Sequence, residues 1–286
     1  MLTFMGEGDA YGAAFEFLEV EDFHPNTGDR YYQHPHIPLG NGRYTDDTQM
    51  AIAVVEAMLS SPKLRRQPDY AKFFFNAYKR DPRAGYGSGF RTVLDKALNV
   101  KQMKAMLLTN SERSGAVMRA PPIGGFADFR DVIEQARLQA IITHDTPKAV
   151  ECAQAVALAF NYLYHNKGAR SQTRAYLNHN VPDTTIDWTT PYHKWATVLA
   201  EDCALRALTV WEESKTTTEI LTNSVKMGGD TDTVAAIAMA LAWADGEIIT
   251  TTHDDLLLNF EGGKFGLPFL HDLTLSWVEA FPKVHQ

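Results

Sequence analysis

Helical periodicity dominates the chain and predicts an all-α fold, a compact bundle of ten or more helices. Met50, Ala53, Val54, Ala57 and Met58 recur at the i, i+3, i+4, i+7, i+8 spacing of one helix face. Ala51, Ile52 and Val55 fill the other faces, so this helix, starting near Gln49, is expected to be buried on most sides. A second apolar helix is expected from Thr233 to Ala244, closed by Asp245-Gly246, and its alanines permit close approach of neighbours. Period-2 alternation, the mark of strands, persists nowhere beyond a few residues; Arg30 to Gln33 comes nearest to an exception.

The other elements follow from the same pattern. A helix is expected from Pro147 to about Tyr164, with proline in its favoured first-turn position. Further helices are expected at 69–79, 89–98, 129–142, 193–213 and 216–226, and loops at Pro25 to Gly28, Pro35 to Gly42 and Asn180 to Asp183. No repeat or long linker divides the chain, so one domain spanning residues 1–286 is expected. With 45% hydrophobic and 22% charged residues the composition is globular, which excludes disordered and collagen-like classes. The longest apolar run, Val234 to Ala244, is eleven residues, well short of the roughly 20 a bilayer span needs. The opening seven residues hold no Lys or Arg, so neither a secretory leader nor a membrane partner is expected, and the expected compartment is the cytoplasm. A net charge of −8 argues against nucleic acid as a partner. Cys152 and Cys203 form no CxxC pair and signal neither a disulfide framework nor a zinc site.

Two acidic clusters stand directly before the two most apolar helices: Tyr44-Thr45-Asp46-Asp47-Thr48 and Gly228-Gly229-Asp230-Thr231-Asp232-Thr233. Helix capping alone accounts for either one, since a Thr or Asp cap and acidic first-turn residues suit the positive end of a helix dipole. Capping needs one side chain, however, and each cluster brings two carboxylates. Buried helices tend to be neighbours, and four converging carboxylates repel unless they are neutralised. Two divalent cations would balance the charge, and Asp and Thr oxygens suit Mg²⁺, Mn²⁺ or Ca²⁺ better than zinc. An EF-hand is excluded by count: from Asp230, position 6 is Ala235 and position 12 is Leu241, where Gly and Glu are required.

Arg83 to Phe90 is a glycine-rich loop ahead of a helix and could cradle a phosphate, although it matches neither a Walker A nor a GxGxxG pattern. Ser111 to Arg119 is a second small-residue passage, and His144 precedes the Pro147 helix. Asp9 and Glu16 lie seven apart, and spacing alone makes them two solvated acids on one surface helix.

In this order the segments resemble the ADP-ribosylglycohydrolases: Gly8 to Gly12 with Glu16, Tyr44 to Thr48, Arg83 to Gly89, Ser114 to Arg119, Thr143-His144 and Gly228 to Thr233. The resemblance implies an orthogonal helical bundle with a dinuclear Mg²⁺ or Mn²⁺ centre in a loop-lined cleft. Carried over, the metal ligands are Thr45, Asp46, Asp47, Asp230, Asp232 and Thr233, and Glu16 is an acidic residue beside the metals. Gly85, Gly87, Ser88, Gly89, Ser111, Ser114, Gly115 and His144 are the implied ADP-ribose contacts. The implied reaction is hydrolysis of the bond between the distal ribose and an acceptor, releasing ADP-ribose from an ADP-ribosylated protein. Glu16, Asp46 and Asp232 are the catalytic candidates, and an arginine side chain is the first acceptor expected. Serine, poly(ADP-ribose) and a modified nucleobase are the alternatives within that chemistry; a silent ADP-ribose binder and a diphosphate-cutting phosphohydrolase lie outside it. The chain departs from the family pattern at Ser114, where Asn is usual, and at Met239 and Trp243, where Gly is usual.

Overall fold

The computed structural model describes residues 1–19, 25–64, 67–251 and 254–284. Among them are thirteen α-helices: α1 (Leu2–Gly12), α2 (Asp46–Leu59), α3 (Tyr70–Arg80), α4 (Ser88–Lys96), α5 (Val100–Met106), α6 (Phe129–Ala140), α7 (Pro147–Tyr164), α8 (Thr173–Asn180), α9 (Ala200–Glu213), α10 (Thr217–Val225), α11 (Thr231–Asp245), α12 (Asp254–Asn259) and α13 (Leu267–Ala280). Extended pairing among the described residues is confined to isolated bridges, and the architecture is all-α as expected. None of these helices is long and apolar enough to cross a membrane.

The core is built around α11, which packs on α1, α7, α9 and α10 and touches α2. Every residue from Thr231 to Ala242 is buried. Burying an Ile or Leu such as Ile237 or Leu241 is worth about 1.5–3 kcal/mol each, more than the roughly 1 kcal/mol of an N-cap. Packing therefore holds α11 in place although Asp230, at its N-cap, makes no capping hydrogen bond. Ordinary caps hold other helices: Asp69 accepts from Lys72 N–H, Thr146 from Ala149 N–H and Thr216 from Glu219 N–H. On α3 the buried residues Tyr70, Ala71, Phe74, Phe75, Ala77 and Tyr78 fall on one face, as amphipathic spacing requires.

The closest helix contact is between α1 and α11. A β-carbon on Gly8 would sit 2.5 Å from the Ala235 carbonyl oxygen, and one on Gly12 2.4 Å from that of Thr231. Glycine is therefore required at both positions, and backbone lies on backbone. Trp243, one of the departures from the family pattern, stacks on Phe160 and Tyr164 at ring separations of 6.1 and 5.7 Å; Met239 is fully buried.

Three expectations are corrected. The helix expected over 193–213 begins at Ala200, because 196–199 is extended and bridges Gly229 and Arg113. Arg30 to Gln33 forms no strand; Gln33 makes a single bridge to Gly40. Asp9 and Glu16 do not share a helix: α1 ends at Gly12, Glu16 lies on the turn that follows, and Asp9 is wholly buried.

Candidate active site

The N-termini of α2 and α11 converge. Thr45 caps α2 by accepting the Asp47 N–H, which puts Asp46 and Asp47 in the first turn. Asp232 occupies the first turn of α11 and accepts its neighbour's N–H, from Thr233, at 2.9 Å. Asp230 is spared from capping and instead accepts from the Ser114 hydroxyl at 2.9 Å. Carboxylate oxygens of Glu16, Asp230 and Asp232 lie within 4.8 Å of one another, and Asp46, Asp47 and Thr233 line the same cavity, so the two clusters meet there. Beneath them Asp9 accepts from the Thr45 N–H at 2.9 Å, the Thr48 N–H at 3.0 Å and the Thr48 hydroxyl at 2.6 Å. This carboxylate, read from spacing as solvated, is the post on which the first acidic cluster stands. The signal for it was the small-residue run around it, which marks close packing.

Crowding and burial raise the affinity of these carboxyls for protons. Burial chiefly, then the charges of Asp9 and Glu16, push Asp46 well above the usual carboxylate range. Burial and then Asp46 do the same to Asp47, and burial and then Glu16 to Asp232. Glu16 is pushed up to about 8, by burial first and by Asp230 second. Asp47 Oδ1 is buried with no hydrogen-bond partner. An orphaned carboxylate oxygen beside a cluster of hard oxygen donors fits a divalent cation.

A pH dependence follows. These groups hold protons in the fold that the unfolded chain releases, so the associated stability is complete at low pH and is lost as pH rises through the raised values. His144, whose folded value burial lowers to about 3, opposes this trend below its ordinary 6.5. The buried Met1 amine, held well below its ordinary 8.0, opposes it up to that value, one group against several raised carboxyls. Between pH 6.5 and about 8, the value for Glu16, the chelated protein is expected to show a falling thermal midpoint. Millimolar Mg²⁺ or Mn²⁺ should restore it. A midpoint that rises across that window in chelator would contradict the crowded-carboxylate geometry.

The cluster forms the floor of a cavity of about 530 Å³, which is also lined by Gly85, Gly87, Ser88, Gly89, Ser111, Ser114, Gly115 and His144. Of the residues expected at the site, all but Thr45 line this cavity; Thr45 borders a second, smaller one of about 210 Å³. Gly85 has φ +95°, and a β-carbon there would lie 2.0 Å from Asp46 Oδ1, so only glycine lets the loop lie against the acidic cluster. Arg83 anchors that loop through ion pairs to Glu261 and Asp81 and by stacking 3.8 Å above the Tyr44 ring. Gly87 and Gly89 face open space. Spacing gave no notice of the apolar side of the cavity, formed by Phe17, Phe90, Val93, Met106 and Leu108; Arg119 and Thr143, also in its wall, lie in segments the sequence singled out, but neither was given a role. Those apolar residues come from three separate segments, the turn after α1, helix α4 and the end of α5, and only the fold brings them together.

A helical bundle with this acidic cleft defines a class, and comparison with known sequences agrees. The sequence profile of the ADP-ribosylglycohydrolase family matches residues 7–244; the chain belongs to that family and is a hydrolase. It is similar to ADP-ribosylhydrolase ARH3 of Bos taurus, at 26% identity over 306 aligned residues that cover 83% of this chain and 81% of that protein. The Mus musculus ADP-ribosylhydrolase ARH3 gives 27% identity, with coverage of 83% and 80%. The Homo sapiens protein of the same name is 37% identical over a shorter stretch, 41% of this chain and 34% of that one. A solved structure titled ADP-ribosylglycohydrolase-related protein complex superposes with a TM-score of 0.74 at 20% identity, over 98% of this chain and 95% of that one, and so shares its fold.

Proposed function

We propose that the protein hydrolyses the bond between C1″ of the distal ribose of an ADP-ribosyl group and its acceptor on a modified protein, releasing ADP-ribose. The observation that carries this reading is the meeting of Glu16, Asp230 and Asp232 with Asp46 and Asp47 on one cavity floor. Two divalent cations, Mg²⁺ or Mn²⁺, suit the Asp46, Asp47, Asp230 and Asp232 carboxylates with the Thr45 and Thr233 hydroxyls. Bound there, they would supply charge neutralisation and polarise ribose hydroxyls and water.

The chain's own groups divide the remaining work. The glycine-rich loop at 85–89 and Ser111, Ser114 and Gly115 line the wall that receives the diphosphate and adjoining sugars. Carboxylates beneath the ribose stabilise the positive charge that develops at C1″ as the glycosidic bond breaks. Glu16 stands on a turn outside the helix ends, partly exposed at the cavity edge, and is placed to move a proton between the attacking water and the leaving atom. Asp46 and Asp232 hold the geometry from below. The arginine guanidinium is the first acceptor to test, with serine hydroxyl second. The net charge of −8 weighs against a nucleic-acid acceptor.

Incubation with ADP-ribosyl-arginine, ADP-ribosyl-serine peptide and ADP-ribosylated DNA, with products identified by mass, tests the proposal. Intact ADP-ribose together with unmodified acceptor is expected. AMP would mean diphosphate cleavage, and binding without any product would mean a silent binder; either overturns the proposal.

A further inference from the structure

Arg119 is almost wholly buried and has no carboxylate partner among the described residues. Its guanidinium lies 4.3 Å from the Phe74 ring centre. Nε donates to Gln139 Oε1 at 2.5 Å, and Nη2 donates to the Gln139 carbonyl at 3.1 Å and to Thr143 Oγ1 at 2.7 Å. Gln139 is held in turn by its own donation to the Ala116 carbonyl.

Thr143 Oγ1 also lies 2.7 Å from His144 Nδ1. An arginine only donates, and a hydroxyl has one proton to give. Thr143 Oγ1 could accept from both Arg119 and an Nδ1–H, but its own buried proton would then have no acceptor among the described residues. Directing that proton to Nδ1 satisfies every group, and the neutral imidazole then carries its hydrogen on Nε2. The ring edge bearing Nε2 faces Gly115: a β-carbon there would be 2.7 Å from Cε1 and 3.1 Å from Nε2. Among the described residues no acceptor meets Nε2, and His144 lines the cavity. In a cleft crowded with carboxylate acceptors, this is a donor of fixed direction.

We propose that Thr143, oriented by Arg119, is a positioning residue that locks His144 in its Nε2–H tautomer, so that it donates to an oxygen of the ADP-ribosyl group beside Ser114 and Gly115. The ligand half of this proposal rests on the function proposed above; the tautomer half does not. Nothing else on the wall could replace the lock, since the ring's other nitrogen sees only Thr143.

Nitrogen-15 NMR of the imidazole in the full chain at neutral pH decides the tautomer half without any ligand. Protonated Nε2 with bare Nδ1 is expected, and protonated Nδ1 in the unaltered protein would overturn the proposal whatever any variant does. Thr143→Val should release the lock and mix the tautomers, whereas Thr143→Ser should keep it. With ADP-ribose as the calorimetric probe, Thr143→Val is expected to bind about tenfold more weakly, the equivalent of one lost hydrogen bond, and Thr143→Ser nearly as well as the parent. In turnover the valine loss should fall on KM and leave kcat little changed. Valine and parent proteins with the same tautomer and the same affinity would refute the relay. A locked tautomer in a parent protein that does not bind ADP-ribose would refute the ligand half and the function together, while the positioning role of Thr143 stands.

Discussion

Replacing Asp232 with Asn is expected to lower divalent-cation-dependent release of ADP-ribose by on the order of 10²–10³-fold or more, with the helical circular dichroism spectrum unchanged. The amide has the same shape and can still accept the Thr233 N–H, so the first turn of α11 keeps its geometry. What is lost is one negative charge from a set whose oxygens lie within 4.8 Å of each other. That loss should act in opposite directions on function and stability. With cations present, the variant gives up a ligand and binds them more weakly. Without them, it gives up a buried charge repelled by Glu16, Asp47 and Asp230, and the chelated variant should melt higher than the chelated parent. Thermal shift with and without Mg²⁺, run beside product release, reads both signs. Full activity in the variant, or in the parent under excess chelator, would refute the role given to the acidic cluster.

The same opposition explains why capping was an incomplete account of the two clusters. Thr45 does cap α2, and its residue type and position announced this. Asp230, at the corresponding place on α11, caps nothing and receives the Ser114 hydroxyl instead. A residue kept from its local role and turned toward a crowded cleft bears a cost in stability that only the function of the site offsets.

How far the sequence was legible follows from which forces are local. The apolar runs of α2, α7 and α11 announce themselves because each is buried nearly all round, and the acidic clusters sit where the chain enters two of those helices. Helix α1 was harder to see. Its sequence carries Gly6, Gly8 and Gly12, each unfavourable in a helix by about 1 kcal/mol relative to alanine, and what repays them is contact with residues more than two hundred positions away. Asp9 was misread for the same reason, since its partners Thr45 and Thr48 are distant in the chain. The start of α9 was placed early because 193–199 has no strong breaker after Pro191; its extended form is imposed by bridges from Ala196 to Gly229 and from Leu199 to Arg113. Helix α13 was passed over, although Pro268 in its first turn and buried Leu270, Thr274 and Trp277 at spacings of four and three are its local signature.

Gly12→Ala is expected to be the most damaging glycine-to-alanine change in α1. The new carbon would stand 2.4 Å from the Thr231 carbonyl oxygen and 2.6 Å from the nitrogen and α-carbon of Asp232. All three are backbone atoms, so no side chain can rotate away, and either α1 or the first turn of α11 must move. The Thr231 hydroxyl, which donates to the Gly12 carbonyl at 2.8 Å, would be strained by the same shift. Overpacking of this kind costs about 3 kcal/mol or more when relief is blocked, a fall in thermal midpoint of about 6 °C or more. Activity should fall further than stability alone requires, because the displaced turn carries Asp232. Gly262→Ala, where nothing lies within 4 Å of the added carbon, is the control and should leave both unchanged. An unaltered midpoint and undiminished cation binding in Gly12→Ala would mean that α1 does not press on α11 at that point, and that the site's geometry is set by something other than backbone contact between these two helices.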